Sequence, residues 1–381
     1  MTAHTRLPKS LVEALRAALT QTALPGETEG FDQSSQAEAA QFVAESAAKR
    51  AAGSSTVRLQ STGGEAGNRR MRLVTINEDM PFLVDSVAAA VASAGIVIHR
   101  LLHPIVAISR TPSGGIKSIG SGEPESIIYM ELDRVDARGR QQLVREIEAV
   151  LADVRAAVGD WGEMLGRMQS DADQLVGGQS ESAELLRWFT DDNFTLLGHV
   201  DVAADGRISN PLGILRNDVA LWDEDAARAA VDYLAKGKHS LLLLKAARTS
   251  PVHRRVPLDV VMMALPDGRL SLHAGLWTSA ALRAPAEEVP ILRQRLAELD
   301  EELGFAPTSH GGKALAHAVS TLPHDLLIGF DRKEVRTAAL TAMSLVDRPR
   351  PRLLLLPDAL RRHVYAFAWL PREEYTTARR R

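Results

Sequence analysis

Residues 71–95 read MRLVTINEDMPFLVDSVAAAVASAG, and this stretch decides how the first part of the chain folds. Residues 71–76 are a short apolar run that predicts a strand, and residues 77–81 predict a turn. Pro81 fits the first turn of a helix, where its missing N–H costs nothing. The helix then carries an apolar face at Val84, Val87, Val91 and Ala94, and Gly95 ends it. The stretch therefore predicts strand, turn and helix in that order.

The residues that follow extend this pattern. Residues 96–109 are rich in Val, Ile and Leu and predict a long strand, in which Pro104 implies a bend or an edge position. A Gly- and Ser-rich run then predicts a hairpin loop. A returning strand is predicted at 126–132 and an amphipathic helix at 137–158. The order strand–helix–strand–strand–helix supplies five of the six elements of a βαββαβ unit, so we predict an α+β domain of the ferredoxin-like type at 55–160.

The segments on either side of this domain are simpler. Residues 1–54 are Ala-rich and polar, and Leu11, Leu15 and Leu19 recur at helical spacing, so N-terminal helices are expected there. A short strand is predicted at 57–59. Residues 161–187 predict a polar helical connector. We expect the N-terminal helices to pack on the neighbouring domain and to carry no chemistry.

A second α+β block is predicted at 188–285. Its expected strands lie at 193–200, 213–216, 241–246, 255–263 and 270–277. Two turns are expected, at 204–207 and at 266–268, where Asp-Gly is a strong hairpin signal. An antiparallel sheet with a few short helices resembles a PAS-like sensor domain.

The last part of the chain predicts helices and then a hairpin. The pattern is helical through 286–346, with breaks at Pro307, Gly311-Gly312 and Pro323. Two strands at 353–356 and 364–370 form a hairpin within 347–381. We expect this hairpin to begin a further domain that the chain does not complete.

Composition excludes several classes of function. The 381 residues include no cysteine, which excludes disulfides, thiolate metal sites and a cysteine nucleophile. The formal net charge of −3 argues against nucleic-acid binding. No window has the apolar length of a signal peptide or a membrane span, so we expect a cytoplasmic protein without membrane contact.

Motifs for cofactors and catalysis are missing from the sequence. Neither GxGxxG nor GxxxxGK[ST] nor GxSxG occurs, and Gly114-Gly115, Gly120-Ser121-Gly122 and Gly311-Gly312 lack the spacing of a dinucleotide loop. His99 and His103 would lie roughly 13 Å apart on a strand, which is too far for one metal ion. A self-contained hydrolase or transferase therefore has little support.

The sequence resembles the large, NAD-specific bacterial glutamate dehydrogenases through a series of collinear blocks. The first is the string from Asn77 to Val87 quoted above. The others are His103-Pro104, Glu125-Ser126, 191–198, 212–216, 250–254, 275–279, Val289-Pro290, 309–315 and 370–375. The resemblance covers roughly residues 70–377 and leaves only the first 50 to 60 residues outside it.

This resemblance implies an ACT-like domain, a PAS-like domain, a helical segment and the beginning of a second ACT-like unit. The parent reaction would be oxidative deamination of L-glutamate to 2-oxoglutarate and ammonium, with NAD as the cofactor. The catalytic core lies further along the family's longer polypeptides. The resemblance therefore implies a non-catalytic regulatory and oligomerisation region, with no cofactor bound in this stretch. Its expected partners are the C-terminal catalytic region, further copies of itself and an amino-acid effector.

In ACT-type domains, the turn after the first strand offers backbone N–H groups to an amino-acid effector. Its counterpart consists of Asn77, Glu78, Asp79, Met80, Pro81 and Phe82. Ligand-binding turns commonly carry Gly after the Pro, and Phe82 in that place leaves a purely structural turn as an equal alternative. Glu78, Asp79 and Asp85 also have a structural explanation, because carboxylates stabilise the positive end of a helix dipole.

Further alternatives remain open. His253 and His310 lie in family-like blocks and are interpreted either as loop anchors or as ligand contacts. The pair Arg254-Arg255 is interpreted either as an exposed basic pair or as an anion-binding site. The whole chain is interpreted alternatively as a stand-alone amino-acid sensor of the ACT/PAS type.

Overall fold

The computed structural model describes residues 7–21, 23–63, 70–175, 180–203, 207–221, 224–236, 240–266, 268–346 and 348–374. These residues form two compact units. Unit 1 comprises Met1–Val158 together with Pro251–Arg255, and unit 2 comprises Gly159–Ser250 together with Val256–Arg381. The predicted boundary at 54/55 falls inside unit 1, and the predicted finer boundaries within unit 2 stay predictions.

Unit 1 is a sheet with helices on both faces. Its strands are β1 (Thr56–Ser61), β2 (Arg70–Glu78), β3 (Ile98–Leu102), β4 (Ile105–Arg110), β5 (Ile116–Ile119) and β6 (Glu123–Asp133). Its helices are α1 (Lys9–Gln21), α2 (Gln33–Ala47), α3 (Leu83–Ser93) and α4 (Ala137–Gly159). The strands pair antiparallel in the order β1-β2-β6-β4-β5, and β3 also pairs with β6.

The predicted order of elements around residues 71–95 is confirmed. The long strand predicted at 96–109 is broken at Pro104 into β3 and β4, which both pair with β6. The last strand of a βαββαβ unit does not follow α4; instead β1, from before the first strand of the unit, pairs along the free edge of β2. The loop expected after residue 110 contains an extra strand, β5, which pairs with β4.

The central strand β2 is buried on both faces because helices cover each of them. Val74 and Ile76 share a core with Leu15, Leu19 and Phe42 of α1 and α2. Leu73 and Thr75 alternate with them and therefore point to the other face. The two N-terminal helices thus add a layer to the sheet, as their apolar spacing predicts.

Unit 2 combines a second antiparallel sheet with a helical layer. Its sheet consists of β7 (Phe194–Val202), β8 (Ile208–Gly213), β9 (Leu241–Thr249), β10 (Pro257–Ala264) and β11 (Leu270–Trp277), in the order β8-β7-β11-β10-β9. Its helices are α5 (Trp161–Gln174), α6 (Ser180–Trp188), α7 (Glu224–Ala235), α8 (Leu292–Leu303), α9 (His310–Ser320), α10 (His324–Gly329) and α11 (Arg332–Val346). The predicted C-terminal hairpin is present as β12 (Arg352–Pro357) and β13 (Val364–Trp369).

The strand predicted at 213–216 is wrong, because β8 precedes it and ends at Gly213. Gly213 has a φ of 59°, and a Cβ there would lie 2.0 Å from the carbonyl oxygen of Leu197. Its N–H donates to Asp160 at 2.8 Å, and the N–H of Ile214 donates to Leu197 at 2.8 Å. The backbone therefore turns at Gly213. The turn predicted at 204–207 and the Asp267 position of the β10–β11 turn lie largely outside the described residues.

Candidate functional site

The six residues that the sequence indicates as an effector site lie at the end of β2 and in the turn that follows it: Asn77 and Glu78 are the last residues of β2, and residues 79–82 connect it to α3. Helix α3 begins at Leu83, so Pro81 precedes the helix instead of standing in its first turn. Phe82 is the N-cap residue with a φ of 72°, and its side chain is unable to cap the helix. A bulky residue in the left-handed region is a conformational outlier, which explains why glycine suits this place.

Glu78 is held by groups of its own unit. One carboxylate oxygen accepts from the backbone N–H of Gly53 at 2.8 Å and from Arg50 at 3.2 Å. The other accepts from Arg155 at 2.8 Å. Burial alone would raise the pKa of Glu78, but these donors outweigh it and lower the pKa. The carboxylate is therefore ionised and already paired.

Glu125 lies beside Glu78 on the adjacent strand β6 and is more deeply buried. Arg110 donates two hydrogen bonds to its carboxylate, from Nε at 2.5 Å and from Nη2 at 2.7 Å. Arg50 donates a third from Nη2 at 2.9 Å. Burial raises the pKa of Glu125, and the two guanidiniums outweigh burial, so the pKa is lowered. Three arginines and two glutamates thus form one network behind the turn, which we call the Arg50 network (Arg50, Glu78, Arg110, Glu125 and Arg155).

The remaining residues of the turn divide into exposed and buried groups. Asp79 has an exposed side chain, and its N–H donates to the carbonyl of Pro124 at 3.0 Å. Met80 is half-buried. Asn77 is only 1% exposed, and its side-chain nitrogen has no hydrogen-bond partner among the described residues. Asn77 is therefore the buried polar side chain among these six residues that has unused hydrogen-bonding capacity.

The segment Pro251–Arg255 packs against the start of α3. The N–H of His253 donates to the hydroxyl of Ser86 at 2.9 Å, and its Nδ1 lies 3.0 Å from a carboxylate oxygen of Asp85. The rings of Phe82 and His253 lie 5.3 Å apart. His253 therefore anchors this segment on the turn, and Arg255 adds an ion pair with Glu146 of α4 at 3.1 Å.

The structure brings four of the family-like blocks together at this turn. Besides 77–87 and 250–254, they are His103-Pro104 and Glu125-Ser126. His103 contacts the hydroxyl of Ser126 at 2.8 Å, and the N–H of Ile127 donates to Pro104 at 3.0 Å. Burial lowers the pKa of His103, and the charge of Asp79 opposes this shift. His310, in contrast, lies in unit 2 at the start of α9.

The glycine pairs that lack a dinucleotide spacing have structural roles. A Cβ on Gly114 would lie 2.4 Å from the carbonyl oxygen of Arg50, and one on Gly122 would lie 2.5 Å from that of Ile108. A Cβ on Gly312 would lie 2.5 Å from the carbonyl of Ala306. These glycines permit close backbone packing.

Unit 2 buries two polar clusters that the sequence did not indicate. In the first, the ammonium of Lys245 lies 2.7 Å from Asp259 and 2.6 Å from Asp325. Burial raises the pKa of Asp259 to about 7, and Lys245 opposes this shift. The pKa of Lys245 is itself raised, because the two carboxylates outweigh the effect of burial.

In the second cluster, Asp171 of α5 accepts from Ser271 at 2.5 Å and contacts His273 at 2.8 Å. The ring of His199 lies 4.7 Å from that of His273. Burial, followed by the charge of His273, lowers the pKa of His199 to about 4. The hydroxyl of Ser271 donates to the carboxylate of Asp171, whereas it lies 3.4 Å from the nearest ring nitrogen of His273. A catalytic serine would instead donate a short hydrogen bond to its general base, so this arrangement differs from that of a nucleophile with its base.

In the parts of the chain that the structure describes, no group of three or more His, Asp or Glu side chains is placed to hold a metal ion. None of the described helices combines the length and apolar composition that a bilayer-spanning helix needs.

Comparison with known proteins agrees with this α+β architecture. Residues 16–147 match the family model for the ACT1 domain of glutamate dehydrogenase, and residues 289–348 match the model for its helical motif 1. The first match begins within α1 and so includes both layers of unit 1.

Three relatives are named NAD-specific glutamate dehydrogenase. The one from Pseudomonas aeruginosa is 31% identical over 80% of this chain, and the one from Halomonas elongata is 28% identical over 80%. The one from Mycobacterium tuberculosis is 28% identical over 86%. The chain spans about a fifth of the length of these relatives, at 21% of each. The chain belongs to the NAD-specific glutamate dehydrogenase family, of which it represents the N-terminal region.

Proposed function

We propose that this chain is a non-catalytic regulatory and assembly region of an NAD-dependent glutamate dehydrogenase. The parent protein would oxidise L-glutamate to 2-oxoglutarate and ammonium with NAD, in the cytoplasm. The hydride chemistry would take place in a C-terminal catalytic region of the same polypeptide. The names of the relatives support the parent activity.

The observation that carries the non-catalytic proposal is the Arg50 network. Its two carboxylates, Glu78 and Glu125, are held by three arginines and a backbone N–H. Their pKa values are lowered, so they remain ionised and are poor proton carriers at neutral pH. Such a network fixes the geometry of a turn and is unsuited to general acid–base catalysis.

The C-terminal hairpin supports the assembly role. One face of the hairpin packs on the core through Leu356, Tyr365 and Phe367. The other face is apolar and open, with Leu353 60%, Leu355 56% and Val364 64% exposed. Contiguous exposed apolar residues on a strand pair are typical of a surface that another chain or domain covers. We propose that copies of the chain, together with the catalytic region, are the partners.

Two measurements test this proposal. The purified chain, supplied with L-glutamate and NAD, is expected to form no NADH; turnover comparable to a complete dehydrogenase contradicts the non-catalytic role. In sedimentation analysis, the chain is expected to self-associate and a Leu355→Lys variant to dissociate. A monomeric wild-type chain contradicts the homo-oligomer.

A stand-alone or built-in amino-acid sensor is the second candidate, and Asn77 favours it. Its side-chain nitrogen is a buried donor without a partner at the turn that binds effectors in other ACT domains. Glu78 is already paired and Phe82 is covered by His253, so such a ligand would have to displace internal contacts. An Asn77→Ala variant that loses amino-acid binding would support the sensor.

A further inference from the structure

Unit 2 contains a cavity of about 420 Å³ that no local sequence pattern indicates. It lies among β9, α6, α7, α8, the end of α10 and the start of α11, and all residues lining it belong to unit 2. Its volume falls within the range of pockets that hold small molecules, roughly 300–1,000 Å³.

Arg295 of α8 supplies the cavity with a positive charge. Its guanidinium donates to the carbonyl oxygens of Leu327 and, at 3.1 Å, of Ile328, which lie at the end of α10. A guanidinium has five N–H donors, so these two bonds leave further donors unused. Arg293 and Arg332 nearby are paired with glutamates, whereas no ion pair among the described residues includes Arg295.

A positive charge without a carboxylate partner is costly in a partly buried position. Burial lowers the pKa of Arg295, although Glu298 and Asp331 oppose the shift from a distance. Arginine remains charged in proteins, so the guanidinium is left to be neutralised by an anion that binds beside it. Because its planar fork matches a carboxylate, a carboxylate ligand suits this geometry best.

Negative charge also lines the same cavity. The exposed carboxylate of Asp331 acts electrostatically on both Arg295 and Tyr233, and Glu298 lies one helical turn beyond Arg295. Leu243, Ile328 and Phe330 add an apolar lining. The cavity therefore combines one cation, carboxylates and an apolar wall.

The backbone around the cavity is strained in a way that positions Arg295. Ile291 lines the cavity with a φ of 67°, which is a rare conformation for a β-branched residue. Its N–H donates to Glu181 at 2.8 Å, and its carbonyl accepts from the N–H of Arg295 at 2.9 Å. Strained residues of this kind occur preferentially at ligand sites, where the surrounding structure maintains them.

We propose that this cavity binds an α-amino acid, with its carboxylate on Arg295 and its ammonium group toward Asp331. The side chain of the ligand lies against the apolar wall formed by Leu243, Ile328 and Phe330. This proposal deepens the regulatory function proposed above. The experiment below measures amino-acid binding and not regulation, so a negative result would reject the binding site without rejecting the regulatory role.

The experiment is calorimetric titration of the full chain with glycine, L-alanine, L-leucine, L-aspartate and L-glutamate. At least one is expected to bind with an affinity that falls on removal of either charged group from the ligand. The N-acetyl and carboxamide derivatives of the tightest ligand provide that comparison. Absence of binding by all five amino acids would overturn the proposal.

Three variants locate the site. Arg295→Met is expected to weaken binding about 100-fold and Asp331→Asn about 10-fold, since hydrogen bonds to charged groups contribute about 1.5–3 kcal/mol. Glu301→Gln removes an exposed charge of α8 that does not line the cavity, and it should bind like the wild-type chain. If Arg295→Met does not fold, the affinities of Asp331→Asn and of the ligand derivatives still test whether the amino acid binds in this cavity. Binding that Asp331→Asn leaves unchanged places the ligand elsewhere and contradicts the proposal.

Discussion

In unit 1 the buried carboxylate of Glu125 meets two guanidiniums, whereas in unit 2 the buried carboxylate of Asp259 shares one ammonium with Asp325. The Arg50 network has three cations for two anions, and the cluster in unit 2 has one cation for two anions. The pKa of Glu125 is therefore lowered and that of Asp259 is raised to about 7. Burial is the largest cause of the raised pKa of Asp259 and the charge of Asp325 adds to it, whereas for Glu125 two guanidiniums together outweigh burial.

This difference affects how the charges of the two units respond to pH. The Arg50 network keeps its charges at all pH values near neutral and so holds the β2–α3 turn in one conformation. The groups of unit 2 titrate between about pH 4 and 7, and its cavity carries a guanidinium without an ion-pair partner. We therefore expect Asp259 and His199 of unit 2 to contribute more than the Arg50 network to the pH dependence of stability between about pH 4 and 7.

The largest expected effect concerns the Arg50 network. Glu125→Gln leaves Arg110 and Arg50 as buried charges without a full complement of partners, and it should lower the free energy of unfolding by about 3–5 kcal/mol. Glu123→Gln, two residues earlier on the same strand but exposed, should change it by less than about 0.5 kcal/mol. Urea unfolding of both variants measures the difference. Equal effects would show that the network is not a special source of stability.

The second prediction concerns Asp259. Its folded pKa exceeds its unfolded value, so the folded state binds the extra proton and stability falls as pH rises from about 4 to 7. The loss should be of the order of 2–3 kcal/mol after allowance for Lys245. Asp259→Asn should remove this contribution, so that its stability relative to the wild-type chain rises as pH increases from about 4 to 7, whereas the exposed Asp232→Asn should keep the wild-type pH dependence. A pH series of thermal unfolding curves provides the test, and an unchanged slope in Asp259→Asn contradicts it.

The third prediction has the opposite sign. The pKa of His199 is lowered to about 4, so the unfolded state binds the proton first and stability falls as pH decreases from about 6.5 to 4. The expected loss is of the order of 2 kcal/mol. It offsets the effect of Asp259 over the same range. In an Asp259→Asn background, stability should therefore decrease toward acid pH, and adding His199→Gln should flatten that curve; a curve that stays steep rejects the assignment.

The smallest effect is expected at Phe82. Phe82→Gly relieves a left-handed conformation that costs about 1–2 kcal/mol, but it also removes the ring contact with His253. The two terms should nearly cancel, so that stability changes by no more than about 1 kcal/mol. Phe82→Ala keeps the strain and loses the ring, and it should be the less stable variant. The reverse order in urea unfolding would show that strain at this position is negligible.

Local patterns in the sequence predict most of the elements of unit 1. The apolar spacing in α3 and α4 and the turn after β2 depend on neighbouring residues, and a proline in the middle of a long strand produces the break between β3 and β4. The turn at Gly213 was missed because the close approach of Leu197, which requires glycine there, is a tertiary contact. A strand pattern alone carries no sign of it.

The candidate sites were less accessible to such reasoning. Glu78 and Phe82 were identified from a resemblance, but Arg50 and Arg155 lie 28 and 77 residues from Glu78 along the chain. No local pattern assigns these arginines to that carboxylate. The cavity around Arg295 likewise joins five helices and a strand from separate parts of the sequence.

NAD titration of the isolated chain tests the central claim most directly. That claim is that these two units position and regulate a dehydrogenase whose hydride chemistry takes place elsewhere. Calorimetry at millimolar NAD is expected to show no saturable binding, with or without L-glutamate. A saturable NAD site that is lost on substitution of Lys245 or Asp259, with the fold intact, would contradict the account.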